Sequence, residues 1–146
     1  MQPVSLAIQE EVKKNPGEAI KKAIGQVDRG EFDKALSYLE TLLRSNLNLE
    51  ASLIQQAHYY IGIIFWKRQD YSGTIDHFEN YNEHFPIGSY RIDALYHIGM
   101  AHRALGEKSL AISQFEQITK EFPTDTYLKK YSQQFLDELM KETGQN

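Results

Sequence analysis

The chain has 146 residues, the size of one domain, with a net charge of −4 and a sequence pI near 5.7. Lys and Arg are interspersed with Asp and Glu throughout, which argues against nucleic acid as a main partner, because phosphate binding needs a basic face. With no Cys in the chain, disulfides, thiolate catalysis and Cys-ligated zinc are excluded.

Residues 1–14, "MQPVSLAIQEEVKK", have no basic start and no long apolar stretch, so a signal peptide is not expected. They predict a helix over 3–14 with Val4, Ala7, Ile8 and Val12 on its apolar side. "NPGE" opens the next helix, 16–29. Asn15 is placed as N-cap, Pro16 at the first helical position, and Glu18 reaches back as in a capping box. Its apolar positions include Ile20, Ile24 and Val27. A third helix is expected over 31–45, in "RGEFDKALSYLETLL".

The fourth helix, 49–68, contains the most apolar stretch of the chain, "YYIGIIFW" at 59–66. Eight uncharged residues are far short of the roughly 18–20 that span a bilayer, so no membrane insertion is expected. Ala57, Ile61, Ile64 and Phe65 have i, i+4, i+7, i+8 spacing, one face of a helix. Further helices are expected over 71–84, 89–105, 108–121 and 125–142. "RQDYSG" and "LGEKSL" read as short turns, and "FPIGS" and "FPTDT" as longer breaks. Pro86 and Pro123 bias Phe85 and Phe122 away from helical geometry. Ser89 is a candidate N-cap for the helix over 89–105, and Thr124 or Asp125 for the last helix. That last helix carries an apolar stripe of Leu128, Tyr131, Phe135 and Leu139, as a capping helix should.

These elements repeat. Shifting residues 56–86 by 37 places Ala57 on Ala94, Tyr59 on Tyr96, Ile61 on Ile98 and Gly62 on Gly99. Ile75 then meets Ile112, Phe78 meets Phe115, and Phe85–Pro86 meets Phe122–Pro123. A weaker copy lies earlier: Gly30 matches Gly106, Ala35 matches Ala111, and Leu39 stands where Phe115 does. A Gly recurring inside a helix, where it costs about 1 kcal/mol relative to Ala, points to close helix–helix approach.

The pattern resembles the tetratricopeptide repeat, in units of about 16–47, 55–88 and 92–125 with a capping helix at 125–142. The resemblance rests on Gly62, Phe65, Phe78 and Pro86, and on Gly99, Gly106, Ala111, Phe115 and Pro123. Departures are a period of 37–39 residues, Thr74 for the usual Ala, and Gln69 for the turn Gly. The longer unit is similar to repeats of bacterial envelope-assembly and division-coordination proteins. The resemblance implies one all-α domain, a right-handed helical-repeat solenoid whose helix pairs bury their apolar faces on each other. It implies a non-enzymatic adaptor or scaffold, cytoplasmic or, if the chain is a fragment without its leader, periplasmic.

In such a solenoid the first helix of each pair lines the concave, ligand-facing side. Carried over residue by residue, that side holds Ile20, Ile24 and Val27 in the first repeat. The second supplies Gln56, Tyr59, Tyr60, Ile63, Trp66 and Lys67, and the third Asp93, Tyr96, His97, Met100 and Arg103. Such a face suits an amphipathic helix or apolar extended peptide of a partner protein, with Tyr and Trp as anchors. The alternatives are a homo-oligomerisation module, a face covered by the chain's own first helix, and a chaperone for secreted or envelope subunits. The Lys and Asn residues that family members use to clamp acidic chaperone tails are replaced here by Ile20, Ile24, Tyr60, Asp93 and His97. No metal or cofactor is implied: His97 and His102 are five apart, and His77 and His84 are about 10 Å apart along a helix. No phosphate loop, Ser elbow or other catalytic constellation is present.

Overall fold

The computed structural model describes residues 5–122 and 127–144, which are all-α with no strand among them. Among the described residues eight helices occur, in the order α1 (Leu6–Lys14), α2 (Pro16–Asp28), α3 (Phe32–Arg44), α4 (Ala51–Lys67), α5 (Tyr71–His84), α6 (Arg91–Ala104), α7 (Lys108–Glu121) and α8 (Tyr127–Thr143). The chain divides into two compact units, Met1–Ile64 and Phe65–Asn146. Chain neighbours pack on each other along α1–α3 in the first and along α5–α8 in the second, the arrangement expected of helical repeats.

In the first unit α1 packs on both α2 and α3. The buried side chains are aliphatic apart from Tyr38 and Gln26, and include Val12, Ile20, Val27, Leu39 and Leu42. Asn15 caps α2 as expected, its Oδ1 accepting the Glu18 amide at 3.1 Å with Pro16 in the first turn. The reciprocal half of the capping box does not form. The Asn15 amide instead donates to the Glu11 carbonyl at the end of α1, and the Glu18 carboxylate pairs with Lys21. An amide already used by the preceding helix leaves Glu18 nothing to reach back to.

In the second unit α5, α6, α7 and α8 pack consecutively, and α8 also touches α6. Phe78, Tyr81, Phe115 and Ile118 are fully buried. The recurring Gly has the predicted use: a Cβ on Gly99 would lie 2.7 Å from the Phe115 ring, inside van der Waals contact. Phe85 and Phe122 leave helical geometry at φ −128° and −115°. Ser89 does not cap α6. The N-cap is Tyr90, with no side-chain cap bond, one residue later than expected. Thr124 and Asp125 lie outside the described residues, as does Val4.

One turn is built three times. Gly30, Gln69 and Gly106 adopt φ of 76°, 61° and 78°. In each case the amide of the left-handed residue bonds three residues back and the next amide five back: Gly30 to Val27 and Glu31 to Gln26, Gln69 to Trp66 and Asp70 to Phe65, Gly106 to Arg103 and Glu107 to His102. This pair of bonds ends a helix by satisfying two of its orphan carbonyls. An acidic residue then opens the next helix, at Glu31, Asp70 or Glu107. That backbone sign change selects Gly, and at Gln69 the chain adopts it with a side chain attached.

Candidate functional site

α6 presents Asp93, Tyr96, His97, Met100 and Arg103 at spacings of three and four, which places them along one side of the helix. All five are half-buried. Tyr96 lies 6.2 Å from Phe115 and 6.3 Å from Phe135 of α8, ring centre to ring centre. The Arg103 guanidinium sits 4.5 Å over the Phe135 ring and donates to Glu138 at 3.0 Å. Aromatic and cationic groups thus meet across α6 and α8.

His97 stands among rings: Trp66 at 5.7 Å, Phe78 at 5.4 Å and Tyr96 at 5.7 Å. Its Nδ1–H donates to the Asp93 carbonyl one turn earlier, at 2.7 Å. Burial pushes the His97 pKa down, against the weaker opposing effect of that hydrogen bond. Burial likewise pushes the Asp93 carboxyl and the Tyr96 hydroxyl up. Trp66 closes the row against Tyr71 at 5.4 Å. The structure therefore brings together Trp66, Tyr96, His97 and Arg103, each with one side engaged by a neighbour.

The positions of the first unit are less uniform. Ile20, Val27 and Ile63 are only 3%, 1% and 8% exposed, so they are core and offer a ligand almost no surface. At these three positions the side chain is buried, whereas the family resemblance implies a ligand-facing one. Ile24, Gln56, Tyr59 and Tyr60 are half-buried, with the two Tyr rings edge-to-face at 5.2 Å. Lys67 is exposed.

Sequence reasoning missed the contribution of α8. The apolar stripe read from the sequence includes Tyr131, Phe135 and Leu139; Leu139 is buried, with Ser132 and Leu136, but Tyr131 and Phe135 are half-buried. Phe135 stacks on Phe115 at 5.6 Å and keeps one face toward Arg103. Tyr131 pairs with Tyr127, hydroxyl to hydroxyl, at 2.7 Å. The 37-residue offset sets Phe135 opposite Ile98, a fully buried position, so the repeat pattern itself pointed away from this role.

One family model described as tetratricopeptide repeat matches residues 20–81, and a second matches residues 93–125. The chain belongs to the tetratricopeptide repeat family. Its repeats thus mediate protein–protein interaction, on a scaffold that is typically non-enzymatic. The first match includes the early repeat, whose sequence signature is the faintest of the three. No curated protein matches the chain significantly. No helix among the described residues is long and apolar enough to cross a membrane.

Proposed function

We propose that this tetratricopeptide repeat protein is a non-enzymatic adaptor that captures a partner protein through the half-exposed side of α6, supported by Trp66 and by α8. The partner segment is an amphipathic helix or an apolar extended peptide. The observation that carries this reading is the partial burial of Tyr96, Met100 and Arg103. Packing fixes each side chain on one side, and leaves the other side accessible. Rigid aromatic and Arg anchors lose little conformational freedom on binding, which is why such residues dominate interface energetics. The buried Ile20, Val27 and Ile63 support the scaffold rather than the contact, while Ile24, Gln56, Tyr59, Tyr60 and Lys67 remain candidate contact positions on their own helices.

The test is a peptide array of amphipathic helical and apolar extended segments, probed with the protein and with Tyr96→Ala and Met100→Glu. Each substitution is expected to weaken capture by about 30-fold, the effect of losing an anchor of about 2 kcal/mol. Circular dichroism should show unchanged helical content. Unchanged capture by both variants excludes this face. The second reading, a self-association module, predicts a mass by light scattering that grows with concentration. A concentration-independent monomer excludes it.

A further inference from the structure

The ring cluster on α6 has at its middle an imidazole, a group whose charge can change near neutral pH. His97 touches Trp66 from α4, Phe78 from α5 and Tyr96 from α6. Its Nδ1–H is held by the Asp93 carbonyl, which fixes the ring between these three neighbours. The titratable and charged groups around the cluster are Asp93, Tyr96 and Arg103 on α6, Tyr71 beside Trp66, and His77 beside Phe78. Lys67 and Arg68 come directly after Trp66 in the chain, and Glu138 of α8 holds Arg103.

We propose that His97 is an acid-sensitive latch: the neutral imidazole holds Trp66 against the α6 face, and its protonation releases the indole and opens that face. The consequence for partner capture rests on the reading that this face is the binding surface. The release itself does not. Placing a full charge among three rings with little water requires hydration of the imidazolium; Phe78 is fully buried and Tyr96 shares the helix of His97, whereas Trp66 is half-buried and comes from another helix, so the indole is the ring taken to move aside.

The direction in pH comes from the depressed pKa. The unfolded chain takes up this proton near the ordinary value of 6.5, before the folded chain does. The contribution of neutral His97 is therefore complete above about pH 6.5 and is lost as pH falls through the lower, folded value. Asp93 acts oppositely. Its raised pKa lets the folded chain protonate first, so its contribution is present in acid and is lost as pH rises through that value.

Trp66 is the single tryptophan of the chain, so its fluorescence reports the latch without any partner. The experiment titrates the protein from neutral pH to the acid side while recording Trp66 emission, acrylamide quenching and helical circular dichroism. Expected is a red shift and a loss of protection from acrylamide, with midpoint below pH 6.5 and constant helicity. His97→Phe, which keeps a ring but no proton, should remove the transition, and His77→Gln and Asp93→Asn should retain it. A flat wild-type titration overturns the proposal, as does a transition that survives in His97→Phe, disappears in His77→Gln or Asp93→Asn, or coincides with loss of helix. Should His97→Phe not fold, the wild-type NMR titration decides: the His97 ring and the Trp66 indole N–H must share one midpoint, and different midpoints overturn the latch. Failure here leaves the peptide-array result untouched, whereas failure of the array leaves the fluorescence transition standing.

Discussion

The α2–α3 pair of the first unit and the α6–α7 pair of the second use the same turn and fill their interiors differently. Both pairs are joined through a glycine at φ of 76° or 78°, with the same two backbone bonds. Where the later pair has Gly99 and Phe115, the earlier has Ala23 and Leu39 at the equivalent positions, and all four are buried. Volume moved from one helix to the other: a ring fits because the facing residue has no side chain, and a smaller Leu accompanies a methyl. The lesson is that the repeat conserves a sum of volumes rather than a set of residues. The chemistry of the wall can therefore drift. The first unit is mostly aliphatic, whereas the second has the ring cluster of Trp66, Phe78, Tyr96, His97, Phe115 and Phe135.

The largest effect expected from breaking this comparison is Phe115→Ala, which leaves an unfilled space beside Gly99 and should cost about 3–5 kcal/mol in denaturant unfolding. Leu39→Ala removes less volume and should cost somewhat less. The volume exchange allows a sharper test. Gly99→Ala forces a Cβ to 2.7 Å from the Phe115 ring and should cost about 1–3 kcal/mol. Adding Phe115→Leu recreates the residue pair of the earlier repeat, so the double variant should be more stable than the sum of the two changes, by at least about 0.5 kcal/mol. Strict additivity would show that the two positions are not coupled.

The turns give a smaller effect of opposite sign. Gln69 has the left-handed backbone that Gly30 and Gly106 occupy without a Cβ. Gln69→Gly should raise stability by about 0.5–1 kcal/mol, and Gly106→Gln should lower it by about the same, read as shifts in thermal midpoint. Smallest is the ion pair of Arg91 with Glu121, in which Nε and Nη2 of the guanidinium donate to the carboxylate. Gln117 first, and then Arg91, hold the Glu121 carboxyl below its ordinary value. That contribution is present above about pH 4.5 and is lost as pH falls through the lower, folded value. Arg91→Ala should flatten this part of the acid-unfolding curve by less than about 1 kcal/mol, since the pair is partly exposed.

Much of the architecture was legible because repetition multiplies weak signals. One Gly in an apolar stretch says little, but Gly62 and Gly99 at one offset, with Phe78 and Phe115 further along, predict a packing contact, seen at Gly99. Helix ends were less legible where a cap depends on an amide already in use, as at Asn15, or on no side chain at all, as at Tyr90. The candidate surface was only half legible. Helical spacing puts Ile20, Ile63 and Met100 on corresponding faces, yet two of these are buried and one is not. That difference is decided by what packs from other segments, which spacing does not encode. α8 shows the same limit: Phe135 belongs to the apolar stripe by pattern, yet it is only partly buried against the core and has Arg103 over its ring.

The most direct test of the central claim is site-specific photo-crosslinking with the reactive residue placed at Met100 on α6, compared with the same residue at the exposed Ser113 on α7. The account predicts a covalent adduct with a second, different protein from Met100, absent from Ser113 and lost on adding Tyr96→Ala. Equal adducts from both positions, or adducts only between copies of this chain, would contradict it.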